Sequence, residues 1–151
     1  MRFFSWLSVL VLPFFAPAPV FSEAPGLEPV LVFQRTACEG TCPVYTATVF
    51  ADGRVAYVGE YAVPVLGQRT LHLPATQVAA LLAEARRIHF EQFKEQYRGT
   101  ITDLPGTVVT VRQPGQAAKT VAVEEALPLP KPLQTFLTQV GRCLDPLAGL
   151  K

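Results

Sequence analysis

TACEGTCPVYTATVFADGRVAYVG, residues 36–59, is the stretch whose reading decides the fold. It opens with Cys38 and Cys42 on either side of Gly40, passes Pro43, and then runs through two β-rich segments separated by Asp52-Gly53. An Asp-Gly pair between two such segments is a hairpin signal, because a tight turn needs the positive φ that glycine adopts without strain. The segments Val44–Ala51 and Arg54–Gly59 are therefore expected to pair as antiparallel strands, with the cysteine loop at the open end of the hairpin. A two-residue turn would set Ala51 against Arg54 and Val49 against Ala56. Both faces of that hairpin are fairly apolar, so the pattern leaves open which one is buried.

Outward from the hairpin, Pro29–Arg35 reads as a preceding strand, with proline at its first residue where a missing N–H is tolerated. Gly67–Leu73 alternates and reads as a further strand. Pro74 suits the first turn of a helix. Val78, Leu81, Leu82, Ala85 and Ile88 then recur at helical spacing, so a helix is expected over Ala75–His89. Residues 95–106 are loop-like. Thr107–Gln113 and Ala118–Glu124 form a second strand pair around Pro114-Gly115. A proline-rich spacer, residues 127–132, leads to a final helix over 132–144, ended by Pro146 and Gly149. The order strands, helix, strands, helix predicts an α+β fold, a mainly antiparallel sheet of hairpins covered by one or two helices.

The chain of 151 residues is half hydrophobic, enough for one domain with a real core. Residues 1–22 have the pattern of a secretory signal peptide. Arg2 precedes an apolar run from Phe3 to Phe15, and a proline-rich tail places Val20 and Ser22 at the −3 and −1 positions before Glu23. Prolines at 13, 17 and 19 argue against a membrane-spanning helix. The division expected is a leader over 1–22 and a single exported domain over 23–151, its core about 29–144, in the periplasm or outside the cell. Removing the leader takes Arg2 and leaves 12 Lys+Arg (13 − 1) against 12 Asp+Glu, a net charge of zero. That balance gives no electrostatic reason to expect nucleic acid, or a membrane surface, as a partner. An envelope protein or a small ligand remains as the class of partner.

Export turns the cysteines toward disulfide chemistry. Cys38 and Cys42 are the closest pair, while Cys143 stands as an alternative partner for either. Closing so short a loop stabilises by about 2 kcal/mol in the chain-entropy account, so such a bridge shapes a loop more than it holds up a fold. A different reading keeps both thiols reduced for copper or zinc, with His72 or His89 as a third ligand, or for dithiol exchange. The spelling Cys-x-x-x-Cys-Pro is similar to that of thioredoxin-like copper-delivery proteins, but a hairpin rather than a helix follows it here. Asp103, before Leu104-Pro105-Gly106, reads as a turn residue. It is also a candidate polar ligand site with Tyr45 or Tyr97. No catalytic triad spacing, phosphate loop or nucleotide fingerprint is present. No catalytic residue and no cofactor are implied, and a binding or structural role is preferred to an enzymatic one.

At Cys38-Glu-Gly-Thr-Cys-Pro-Val-Tyr45, followed by Asp52-Gly53, the chain resembles a family of exported, mostly bacterial proteins known as domain of unknown function 6438. Arg35, Cys38, Gly40, Cys42, Pro43 and Tyr45 match its opening motif, and Tyr97 with Thr102-Asp103-Leu104-Pro105 its middle segment. The resemblance spans about residues 30–142. It implies export and this order of elements, and it carries no activity.

Overall fold

The computed structural model of the chain describes residues 28–100 and 104–151. The expected leader and Asp103 lie outside the described residues. The seven strands are β1 (Leu31–Thr36), β2 (Val44–Val49), β3 (Arg54–Tyr61), β4 (Gly67–His72), β5 (Gln96–Tyr97), β6 (Gly106–Val111) and β7 (Lys119–Glu124). They form one sheet in the order β4-β3-β2-β1-β6-β7-β5. Two helices, α1 (Ala75–Arg87) and α2 (Lys131–Leu144), complete the α+β architecture. No helix among the described residues is long and apolar enough to cross a membrane.

The strand pairs are antiparallel except β5 with β7, which run parallel over two residues. That short strand replaces part of the loop expected over 95–106. β3 also runs on through Tyr61, beyond the expected end at Gly59. The first strand and both helices fall within a residue or two of their expected bounds.

The β2–β3 register differs from expectation by one residue. Val49 pairs with Val55 and Thr48 with Ala56, not Val49 with Ala56. The turn holds three residues, not two. The Gly53 N–H donates to the Phe50 carbonyl at 3.0 Å, the Phe50 N–H donates to the Arg54 carbonyl at 2.9 Å, and Asp52 Oδ1 accepts from the Arg54 N–H. This is a type I turn closed by a glycine of positive φ (91°), the usual three-residue hairpin loop. A Cβ on Gly53 would lie 2.2 Å from the Leu73 carbonyl oxygen, so the turn also needs glycine for the close passage of the chain into α1. Adding one residue to the turn changes which β3 side chains join the β2 faces. Val55 and Tyr57, not Ala56 and Val58, share a face with Tyr45, Ala47 and Val49.

That shared face is the buried one. Leu31 and Phe33 of β1, Tyr45, Ala47 and Val49 of β2, Val55 and Tyr57 of β3, Val109 and Val111 of β6, and Val121 and Val123 of β7 form the floor of the core. Val78, Leu81 and Ala85 of α1 and Leu133, Phe136, Val140 and Leu144 of α2 form its roof, each set lying on one stripe of its helix. Aromatic rings run along the floor, with Phe33–Tyr45 centroids 5.9 Å apart and Tyr45–Tyr57 5.6 Å, and Phe90 meets Phe136 at 5.4 Å. Phe90 arrives on a short 3-10 turn just past α1.

Candidate functional site

The core face ends in a polar row. Cross-strand register sets Tyr45 beside Arg35 and Arg35 beside Thr107. Arg35 follows Leu31 and Phe33 on the same face of β1, so alternation alone delivers its side chain to the edge of the core. Opposite it, α2 ends and the chain enters a 3-10 turn whose first residue is Asp145.

These groups close on one another. Arg35 Nε donates to Asp145 Oδ1 at 3.2 Å and Arg35 Nη2 to Oδ2 at 2.7 Å, a bidentate pair. Arg35 Nη1 donates to Thr107 Oγ1 at 3.0 Å and reaches Glu125 Oε1 at 3.4 Å. The Tyr45 hydroxyl donates to Asp145 Oδ1 at 2.5 Å. The Arg35 and Asp145 side chains are only about a quarter exposed. A Cβ on Gly141 would lie 3.2 Å from Arg35 Nη2 and 3.1 Å from Asp145 Oδ2, so the absence of a side chain there leaves room for the pair.

The electrostatics follow from the contacts. Burial, then the hydrogen bond and the negative charge of Asp145, push the Tyr45 phenol well above its ordinary value; Arg35 opposes this and does not prevail. Burial by itself would lower the Arg35 pKa, but the Asp145 carboxylate, helped by Tyr45 and Glu125, leaves it raised. Tyr45 thus keeps its proton and Arg35 its charge.

The row forms the waist of a cleft on the helix side of the sheet. One chamber, about 470 Å³, lies between α2 and the segment leaving β7, with Val123, Leu127, Leu129 and Leu137 on its walls. The other, about 330 Å³, runs under the cysteine loop past Cys42, Pro43 and Gly106. Arg35, Glu125, Asp145, Leu150 and Lys151 line both.

Cys38 and Cys42 are joined in a disulfide with Cα atoms 5.8 Å apart, and Cys143 is a free, half-buried thiol of raised pKa owing to burial. His72 lies at the far end of the sheet, opposite Arg54, and His89 is exposed after α1. Among the described residues no group of three or more His, Cys, Asp or Glu side chains is placed to hold a metal.

The other candidates are dispersed. Tyr45 is fully buried, with its hydroxyl engaged by Asp145. Tyr97 is half-buried on β5, beyond β1, β6 and β7. Four strand spacings, about 19 Å, separate the strands of the two tyrosines, so they do not share a pocket. Arg35 belonged to the motif in the sequence but had no role assigned there. Asp145 passed unnoticed: an aspartate before Pro146 looks like a helix terminator, and nothing local says that an arginine 110 positions away is its partner.

No curated protein matches the chain. A family match covers residues 29–144, taking in Arg35, the cysteine loop and Tyr45 and stopping one residue short of Asp145. The chain therefore belongs to the family described as a domain of unknown function (DUF6438).

Proposed function

We propose that this chain is an exported, non-catalytic binding module in which the Cys38–Cys42 clip shapes the rim of a ligand cleft. The observation that carries the reading is the pair of chambers meeting at Arg35, Glu125 and Asp145. The larger chamber has the volume of a small-molecule site, apolar walls and a few convergent polar groups. A small amphipathic ligand fits this arrangement, its apolar part along Leu129 and Leu137 and its polar end at the waist. The waist groups favour binding over chemistry because they are already committed to one another. Asp145 accepts from both Arg35 and Tyr45, and the Tyr45 phenol holds its proton too firmly to act as a base. Export is supported by the leader pattern of residues 1–22 and by a disulfide, which persists in oxidising compartments.

Two measurements test the reading. A tryptic map of the natively exported protein, blocked with a thiol reagent and never reduced, should give the Thr36–Arg54 peptide unlabelled and two hydrogens light; label on both cysteines would return the loop to metal or redox chemistry. Titration with octanoate, octylamine and short apolar peptides, followed by amide shifts, should perturb residues lining the larger chamber. Thr138→Trp, at an exposed position beside that chamber, should remove the effect without lowering Tm. Shifts that spread over the molecule or survive Thr138→Trp would reject the cleft.

A further inference from the structure

The two chambers of the cleft meet at Arg35, Glu125, Asp145, Leu150 and Lys151, which line both. Four of these side chains are charged, two of each sign, so the waist is polar yet balanced. Arg142 and Glu124, which line the larger chamber but not the smaller, cancel as well. A charged ligand group would lose its water here and meet no net counter-charge in return.

Arg35 and Asp145 are committed to each other. Arg35 donates from Nε and Nη2 to Asp145 and from Nη1 to Thr107, and Asp145 also accepts from Tyr45. Glu125 and Lys151 are less engaged. Among the described residues the Glu125 carboxylate meets only Arg35 Nη1, at 3.4 Å, and Lys151 has no carboxylate partner. The first is an acceptor and the second a donor.

Leu150 supplies the apolar surface of the waist. The Gly149 N–H donates to the Pro146 carbonyl and the Leu150 N–H to the Asp145 carbonyl, both at 3.0 Å, a Schellman turn with Gly149 at φ 80°. The turn that brings Asp145 to Arg35 therefore also sets Leu150 at the junction. Apolar side chains continue on either side of it, Leu129 and Leu137 in the larger chamber and Pro43 and Pro105 in the smaller.

We propose that the ligand is two-armed, with a neutral secondary amide at the waist and one apolar arm in each chamber. The amide N–H faces Glu125 and its carbonyl faces Lys151. This assignment rests on the cleft reading above and names the ligand class for it. Volumes of about 470 and 330 Å³ make the arms unequal. A single-tailed ammonium or carboxylate leaves the smaller chamber unfilled and brings a charge that the waist does not balance.

Amide-shift titrations of the natively exported protein with N-butylhexanamide, N-methylhexanamide, decylamine and decanoate test it. N-butylhexanamide should shift Leu129 and Leu137 together with Cys42 and Gly106, and should bind more tightly than either charged probe. Shortening its butyl arm to methyl should silence Cys42 and Gly106 and weaken binding about fourfold for each methylene removed. Glu125→Gln, at a half-exposed position, leaves one positive charge in excess at the waist, so decanoate should gain on the amide several-fold while Tm holds. An amide that shifts only the larger chamber and binds no better for its butyl arm would overturn the two-armed ligand and leave the cleft standing. So would tighter binding of decylamine or decanoate by the wild type, or a ranking that Glu125→Gln leaves unchanged. Silence of both chambers toward all four probes would overturn the cleft and this assignment with it.

Discussion

Two staples sit within one cleft of this protein and work on opposite scales. The Cys38–Cys42 bridge is covalent and joins residues four positions apart. The Arg35–Asp145 pair is non-covalent and joins residues 110 positions apart. A cross-link stabilises mainly by removing conformations from the unfolded chain, and a short loop has few to remove. The ion pair instead fastens the end of α2 to the central strand, with Tyr45, Thr107 and Glu125 completing its hydrogen bonds. The stronger chemical bond is therefore expected to matter less for the fold than the weaker one.

The sharpest way to break that comparison is Arg35→Ala. It leaves Asp145 largely buried without its cation and should cost about 3 kcal/mol, read from denaturant unfolding. Arg35→Lys should recover only part of this, because an ammonium cannot match the bidentate geometry. Replacing both clip cysteines, Cys38→Ser with Cys42→Ser, should cost no more than about 2 kcal/mol, and a reducing agent should lower the stability of the wild type by the same amount. If the clip variant were the less stable of the two, the ordering proposed here would be reversed. Tyr45→Phe keeps the ring in the aromatic row and deletes one hydrogen bond to a charged group, for about 1.5 kcal/mol.

The same tyrosine gives a pH signature. Its pKa is raised in the folded state from an ordinary value of 10.0. Above pH of about 10 the unfolded chain releases this proton while the folded one retains it, so stability contributed by Tyr45 is present below that pH and lost as pH rises. Unfolding midpoints measured at pH 9 and pH 11 should fall more for the wild type than for Tyr45→Phe. Equal slopes would mean that the hydroxyl is not held by Asp145. This is the smallest effect of the set, since Tyr57, raised by burial, titrates alkaline in both proteins and only the difference counts.

Much of this fold was legible in the sequence. The α1 and α2 stripes, the two strand pairs β2–β3 and β6–β7 and the closest cysteine pairing are all local patterns, with periods of 3.6 or 2 or separations of a few residues. The hairpin register was misjudged because Asp-Gly serves two-residue and three-residue turns alike. What selects the longer one is Phe50 pairing with Arg54 and the passage of Leu73 against Gly53. The candidate site was legible in fragments. Arg35, Cys42 and Tyr45 stood in one motif, yet their common purpose depends on Asp145, which carries no local mark. Tyr97, singled out with Tyr45, lies four strands away from it.

The sequence by itself determined the class of fold, the position of the clip and the core-facing stripes of both helices, because each of these is written in spacing between near neighbours. Tertiary structure alone decided which sheet face is buried and that Arg35, Tyr45 and Asp145 meet. Each of those depends on strand order and register, and the contacts that set them join residues far apart in the chain, where no local period can carry the information.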